Sequence, residues 1–242
     1  MKEGILITGA TSDIAYEFLK NYKDKSKVIV AFYYDYEERL DDLIKNYNLN
    51  IVKVKYNFLS LEGISEVLQD TLKDIFISEV LHLSAPAVKQ ERFNKIEISQ
   101  YNRDFSIQVL SIIEILKFII PKMKKEKRGK IVFVLTSYIK GVPPKFCTSY
   151  VTSKYALEGL MKSLVSEYSS FNIQINGISP SMIRSKFINN MDERLIEMEI
   201  DKHPMKRTIE IEEIVDTINY LFESNNKFLT GNNLLLTGGE NY

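Results

Sequence analysis

The chain of 242 residues is expected to fold as one doubly wound α/β domain, a parallel sheet of about seven strands with helices on both faces. Three observations carry that expectation. Short apolar runs alternate with longer helical segments from end to end. The runs are apolar at nearly every position, as strands covered on both faces must be. No repeat, linker or low-complexity segment divides the chain. Strand, helix and strand without a break then call for parallel strands joined by right-handed crossovers.

Taken in order, the strand candidates are 5–8, 28–32, 51–56, 79–83, 130–135, 174–178 and 233–236. The helical candidates between them are 14–22, 36–46, 61–73, 98–125, 149–170 and 210–223. Within the fourth of these, FSIQVLSIIEILKFIIPKM (residues 105–123) is apolar at nearly every helical phase. Such a helix needs burial on opposite faces, one on the sheet and the other on neighbouring helices or a second subunit.

Composition narrows the function classes. Hydrophobic residues make up 45% and charged residues 26%, as in a soluble globular protein. Lys plus Arg balances Asp plus Glu at 32 each, so no global field points to nucleic acid. The basic run KMKKEKR (122–128) reads as a solvated helix end. No window reaches the roughly 18 apolar residues of a membrane span, and the chain enters a strand too early for a signal peptide. One cysteine, Cys147, and two histidines, His82 and His203, leave no material for an internal disulfide or a zinc cluster. A cytoplasmic protein with no metal is expected.

In a doubly wound sheet, ligands bind beyond the carboxyl ends of the strands, where strand order reverses. The turn after the first strand reads TGATSDIA (8–15). Gly9 stands where a tight turn needs a residue without Cβ. On the octet alone, a generic strand–turn–helix remains open.

The rest of the chain resolves the comparison. Thr8-Gly9-x-x-x-Asp13-Ile14-Ala15 resembles the TGxxxGxG turn of short-chain dehydrogenases/reductases, with Asp13 and Ala15 in place of two glycines. Ser137, then Tyr150 and Lys154 as Y-x-x-x-K, match that family's catalytic pattern. A second Y-x-x-x-K, Tyr16 with Lys20, lacks the context: Ser137 closes the run GKIVFVLTS and Tyr150 opens a long helix. NGISPS follows the next strand where the family has N-x-x-PG, and TGNNLLLTGG resembles its closing TG…DGG segment. The matches fall in order from residue 8 to residue 239, and the chain is identified as a member of the compact, single-domain type.

The resemblance implies a Rossmann-like domain and an NAD(P)-dependent oxidoreductase that moves a hydride between nicotinamide and a carbonyl or secondary alcohol. It implies that Gly9, Thr11, Ser12, Asp13 and Ile14 meet the dinucleotide at the first turn. Tyr33, Asn57, Phe58, Ser84 and Ala85 would follow at the next strand ends, with Tyr150, Lys154, Pro180, Ile183 and Ser185 on the nicotinamide side. A substrate lid is expected over residues 182–208, where His203 reads as a surface residue. A homodimer or homotetramer is expected, since members commonly pair the helix around 105–123 with its successor across a two-fold axis.

The chemistry explains the residue types. A free tyrosine hydroxyl, with a pKa of about 10, is a poor proton donor–acceptor near neutrality. Lys154, four residues on, shares a helical face with Tyr150, and its ammonium is expected to lower that pKa. Tyr150 is then the general acid of reduction and the general base of oxidation. Ser137 hydrogen-bonds the substrate oxygen. The family's catalytic asparagine, which by the resemblance orders a water that relays protons through the lysine, aligns with Gln108; its amide displaces that water, bonds Lys154 directly, or faces elsewhere and serves only the helix.

Other positions depart from the pattern. Leu83-Ser84-Ala85-Pro86 stands for Asn-Asn-Ala-Gly, Ser181 for the glycine of the PG pair and Thr237 for the aspartate of DGG. The choice between NAD and NADP stays open: Asp35 follows the second strand, but no arginine does. The expected partner is a small carbonyl or alcohol, with no nucleic acid and no membrane. A 3-oxoacyl-carrier-protein reductase is the alternative substrate class, and a catalytically weak NAD(P)-binding protein the alternative from another class.

Overall fold

The computed structural model describes residues 1–183, 197 and 200–240. Seven strands form one parallel sheet in the order β3-β2-β1-β4-β5-β6-β7. They are β1 (Lys2–Thr8), β2 (Val28–Tyr33), β3 (Ile51–Lys55), β4 (Ile75–His82), β5 (Gly129–Val134), β6 (Ile173–Pro180) and β7 (Asn233–Leu236). Order reverses between β1 and β4, so the crevice lies beyond Thr8 and His82, which are paired in register. The Rossmann-like single domain is as expected.

Helices cover both faces because the strands are apolar on both. One layer contains α1 (Asp13–Lys20), α2 (Glu38–Tyr47) and α7 (Ile211–Glu223), which bury Phe18, Leu40 and Ile218 against Ile5, Ile29 and Ile178. The other contains α3 (Ile64–Thr71), α4 (Ile98–Phe105), α5 (Ser111–Glu126) and α6 (Thr148–Tyr168), which bury Leu68, Ile112 and Leu157 against Leu6, Val80 and Ile131.

Several element ends shift by up to four residues from the sequence reading, and one helix is interrupted. β4 begins at Ile75 rather than residue 79, because Ser78 and Glu79 are buried strand residues with partners: Ser78 donates to Glu3 (2.7 Å) and Lys27 pairs with Glu79 (2.7 Å). The single helix expected over 98–125 is interrupted by a π turn, Ser106–Leu110, that joins α4 to α5. π turns inside helices occur often at functional sites, and this one carries Gln108.

Candidate active site

At the carboxyl edge, Gly9 has φ +65°, and a Cβ there would lie 3.0 Å from both the Leu83 carbonyl carbon and the Ser84 nitrogen. The first turn therefore packs directly on the loop after β4, which only glycine permits. Thr8 seals the contact: its Oγ1 accepts from the Leu83 and Ser84 amides at 3.2 and 3.3 Å. Ser12, not Asp13, caps α1, accepting from the Ala15 amide at 3.3 Å. Asp13 is the first helical residue, and its carboxylate takes an ion pair with Arg39 (2.7 Å). The Arg39 guanidinium also lies over the Tyr16 ring, 4.7 Å from its centre.

Sequence reasoning missed Arg39. It lies on α2, beyond the strand end where an arginine is sought, and only the fold brings it to the first turn. Its pairing with Asp13 neutralises that carboxylate at the first turn.

Tyr33 and Ser84 are buried at the ends of their segments, and the Tyr33 hydroxyl bonds Glu37. Asn57 is exposed, and its Oδ1 accepts from the Leu59 amide (3.0 Å), closing its own turn. The Phe58 ring stacks on Phe32 in the core, so only its backbone can face a ligand. Thr11 and Ile14 are half-buried on the first turn, and Ala85 is half-buried beside Ser84. Pro180 ends β6, Ile183 bridges to Ile209, and Ser185 lies outside the described residues.

On the far side of the crevice, Ser137 follows β5, while Tyr150 and Lys154 stand one turn apart on α6. Ser137 is 1% exposed, and its Oγ has no hydrogen-bond partner among the described residues. A buried hydroxyl left this way costs roughly 1–3 kcal/mol, so it is poised for a ligand atom. Beside it opens a cavity of about 220 Å³ lined by Ser137, Val142, Pro143, Met182, Ile200 and Arg207, among others.

Electrostatics here run against the sequence expectation. Lys154 Nζ donates to the Val134 carbonyl at 2.8 Å and lies 5.6 Å from the Tyr150 ring centre. Burial brings Lys154 down to about 7, and burial pushes Tyr150 up to about 12 against an opposing hydrogen bond with Thr136. Among the protein's own groups, the lysine does not lower the tyrosine: desolvation is the leading influence on each.

Gln108 is fully buried, and its Nε2 donates to Ser153 Oγ at 2.8 Å rather than reaching Lys154. Direct bonding of Lys154 by the amide is therefore corrected. Instead Gln108 belongs to a polar seam between α4 and α6. Gln100 donates to Ser149 at 3.0 Å, and Asp104 is hydrogen-bonded to Ser149 as well. The seam residues are spaced by four on each helix, which keeps them on facing stripes.

His203 is likewise corrected: it is 9% exposed, its Nε2 donates to the Thr237 carbonyl (2.9 Å) and its Nδ1 accepts from the Met205 amide (3.1 Å). It ties residues 203–205 to the segment after β7 and has no ring nitrogen left for catalysis.

Comparison with known proteins gives the family. A family model described as Enoyl-(Acyl carrier protein) reductase matches residues 9–241. The chain belongs to the short-chain dehydrogenase/reductase family. It is an NAD(P)-dependent oxidoreductase that transfers a hydride between nicotinamide and a carbonyl or secondary alcohol.

It is 24% identical over 240 residues to the 3-oxoacyl-[acyl-carrier-protein] reductase FabG of Buchnera aphidicola subsp. Acyrthosiphon pisum, covering 98% of this chain and 97% of the relative. FabG of Thermotoga maritima is also 24% identical, over 97% of this chain and 96% of its own length. In fold, the chain resembles a 3-oxoacyl-[acyl-carrier protein] reductase from Brucella melitensis, with TM-score 0.88 and 18% identity over 98% and 91% of the two chains. NAD+-bound xylitol dehydrogenase gives TM-score 0.85 and 20% identity, with coverage of 98% and 98%. NADP-bound ElxO gives TM-score 0.84 and 22% identity, with coverage of 99% and 98%. Solved structures of this fold thus hold NAD+ in one case and NADP in the other, as the open choice between the two allows. Among the described residues, no helix is long and apolar enough to cross a membrane.

Proposed function

We propose that Ser137, Tyr150 and Lys154 are the catalytic set and that they act on a ketone seated in the cavity beside Ser137. The observation that supports this most is the buried, unpartnered Ser137 hydroxyl at the wall of that cavity. Ser137 donates to the substrate oxygen and steadies the charge that develops there. Tyr150, held near 12, is protonated at neutral pH, as a donor to that oxygen must be. Lys154 holds the ribose side of the dinucleotide and keeps its Nζ anchored on the Val134 carbonyl.

The dinucleotide, when bound, supplies the hydride. The residues of the crevice fit it. Gly9 lets the first turn approach closely, and the Ser12-capped start of α1 presents amides to an anion. Gly9, Thr11, Ser12, Asp13 and Ile14 are assigned to the diphosphate, and Tyr33, Asn57, the Phe58 backbone, Ser84 and Ala85 to the adenosine side. Pro180, Ile183 and Ser185 are assigned to the nicotinamide, and residues 182–208 to a substrate lid. Gln108 positions α6 through Ser153.

The relatives named as 3-oxoacyl-[acyl-carrier-protein] reductases favour a 3-oxoacyl thioester as substrate class. Exposed Leu110, Phe118 and Tyr155 on the helix pair from 98 to 168 support assembly as a homodimer or homotetramer. A cytoplasmic location completes the reading. Turnover tests it: reduced dinucleotide should be consumed with a 3-oxoacyl thioester or another ketone in a broad panel. Binding without turnover across that panel would replace it with the weak-catalyst alternative. A monomeric mass by light scattering at micromolar concentration would remove the assembly.

A further inference from the structure

His82 is a buried titratable group that the proposed reaction does not use. It ends β4 at 1% exposure, between the first turn and the π turn, and both ring nitrogens are bonded. Its Nε2 lies 2.8 Å from the Gln108 carbonyl, which can only accept, so the proton is on Nε2. Its Nδ1, 2.7 Å from Thr8 Oγ1, therefore accepts from the Thr8 hydroxyl. The tautomer is fixed by its partners. Burial, with the Lys154 charge adding to it, brings His82 down to about 3, so the ring stays neutral at any ordinary pH.

These bonds form part of a longer path. The Leu83 and Ser84 amides donate to Thr8 Oγ1, Thr8 to His82 and His82 to the Gln108 carbonyl. The Gln108 amide then donates to Ser153 Oγ (2.8 Å), and Ser153 donates to the Tyr150 carbonyl (2.7 Å). Every donor points the same way, from the glycine turn to the helix carrying Tyr150. The path turns at Gln108, where backbone and side chain serve separate bonds, and the π turn is centred on that residue.

We propose that His82 is a positioning residue, whose two opposed hydrogen bonds hold the dinucleotide turn and the Tyr150 helix in one register. The inference rests on the reductase reading of the site. The three links from Thr8 to Ser153 are buried and 2.7–2.8 Å long, so this stretch transmits displacement rather than charge. An error of about 1 Å between hydride donor and proton donor can cost on the order of a hundredfold in rate.

Three variants separate positioning from bulk stability. His82→Asn keeps an acceptor for Thr8 but falls short of the Gln108 carbonyl. His82→Gln keeps a donor that reaches it. His82→Phe fills the space and loses both bonds. His82→Asn and His82→Phe are expected to lower kcat at least about tenfold, with dinucleotide Kd within about threefold of the parent, and His82→Gln to recover most of the kcat. Equal kcat in the Asn and Gln variants, both folded, would overturn the proposal.

Hydrogen exchange reads the coupling without turnover. In His82→Asn, amides of 106–112 and of Ser153 and Lys154 should exchange faster while those of Leu83 and Ser84 stay protected. Unchanged exchange at 106–112 would likewise overturn it. A parent that binds dinucleotide but reduces no ketone sinks the reductase reading alone, and the exchange result then decides the coupling.

Discussion

On one side of the crevice, Ser137, Tyr150 and Lys154 keep their family identities, and buried hydrogen bonds to Val134, Thr136, Ser149 and Ser153 surround them. On the other side, the first turn has lost two of three glycines, and what compensates is a half-exposed ion pair, Asp13 with Arg39. The difference follows from what each side must present to a ligand. The side proposed as catalytic presents side-chain atoms, whose positions depend on every supporting bond. The first turn, proposed to meet the dinucleotide, presents backbone amides, so its side chains can change where their charge is neutralised and Gly9 retains its backbone. Loss of support should therefore be costly on the first side and modest on the second.

The largest effect belongs to Tyr150→Phe, which removes the proton donor and should cut turnover at least about a hundredfold with little change in dinucleotide affinity. Near-parent turnover there, with loss in Tyr16→Phe, would place the chemistry on the wrong pair. Next is Gln108→Ala, which leaves Ser153 without its donor and should cost about tenfold in kcat while the fold survives. Gln108→Asn is expected to behave like the alanine variant, since a stem one methylene shorter cannot span to Ser153. An asparagine variant with parental kcat would instead favour a relay through the amide.

On the opposite side, Arg39→Ala should weaken dinucleotide binding by only about three- to tenfold, because it exposes the Asp13 charge to the diphosphate. Asp13→Gly in the same chain should restore the affinity. Tighter binding by Arg39→Ala alone would show that the pair blocks the site.

A separate effect is on stability. Lys154 lies near 7 in the folded chain against 10.5 unfolded. Between those values, the unfolded chain holds the extra proton, so this group makes stability rise with pH from about 7 to about 10.5. Urea midpoints at pH 7 and pH 9 should diverge more in the parent than in Lys154→Met. Identical slopes would contradict burial as the controlling influence on that lysine.

All seven strands, and the placing of Ser137 after β5 with Tyr150 and Lys154 one turn apart on α6, could be read from the sequence, because period and local motif determine them. The start of β4 was hidden by Ser78 and Glu79, polar residues whose partners on β1 and the turn before β2 lie far away in sequence. Arg39 with Asp13, 26 residues apart, and Thr8 with His82, 74 apart, are pairs that only the folded sheet creates. The π turn has no local signature either, since Ser106–Leu110 continues an apolar helical pattern while the interruption is marked by a bond from His82. His203 followed the same rule: polar neighbours suggested a surface position, yet tertiary contacts place it under the segment after β7.

One measurement bears most directly on the whole reading: the parent protein mixed with reduced dinucleotide and a panel of ketones that includes a 3-oxoacyl thioester. Nicotinamide absorbance and carbonyl content would be followed together. The expected result is loss of both in equal amounts in the parent, and loss of neither in Tyr150→Phe despite comparable dinucleotide binding. Tight dinucleotide binding by the parent with no carbonyl consumed across the panel would contradict it.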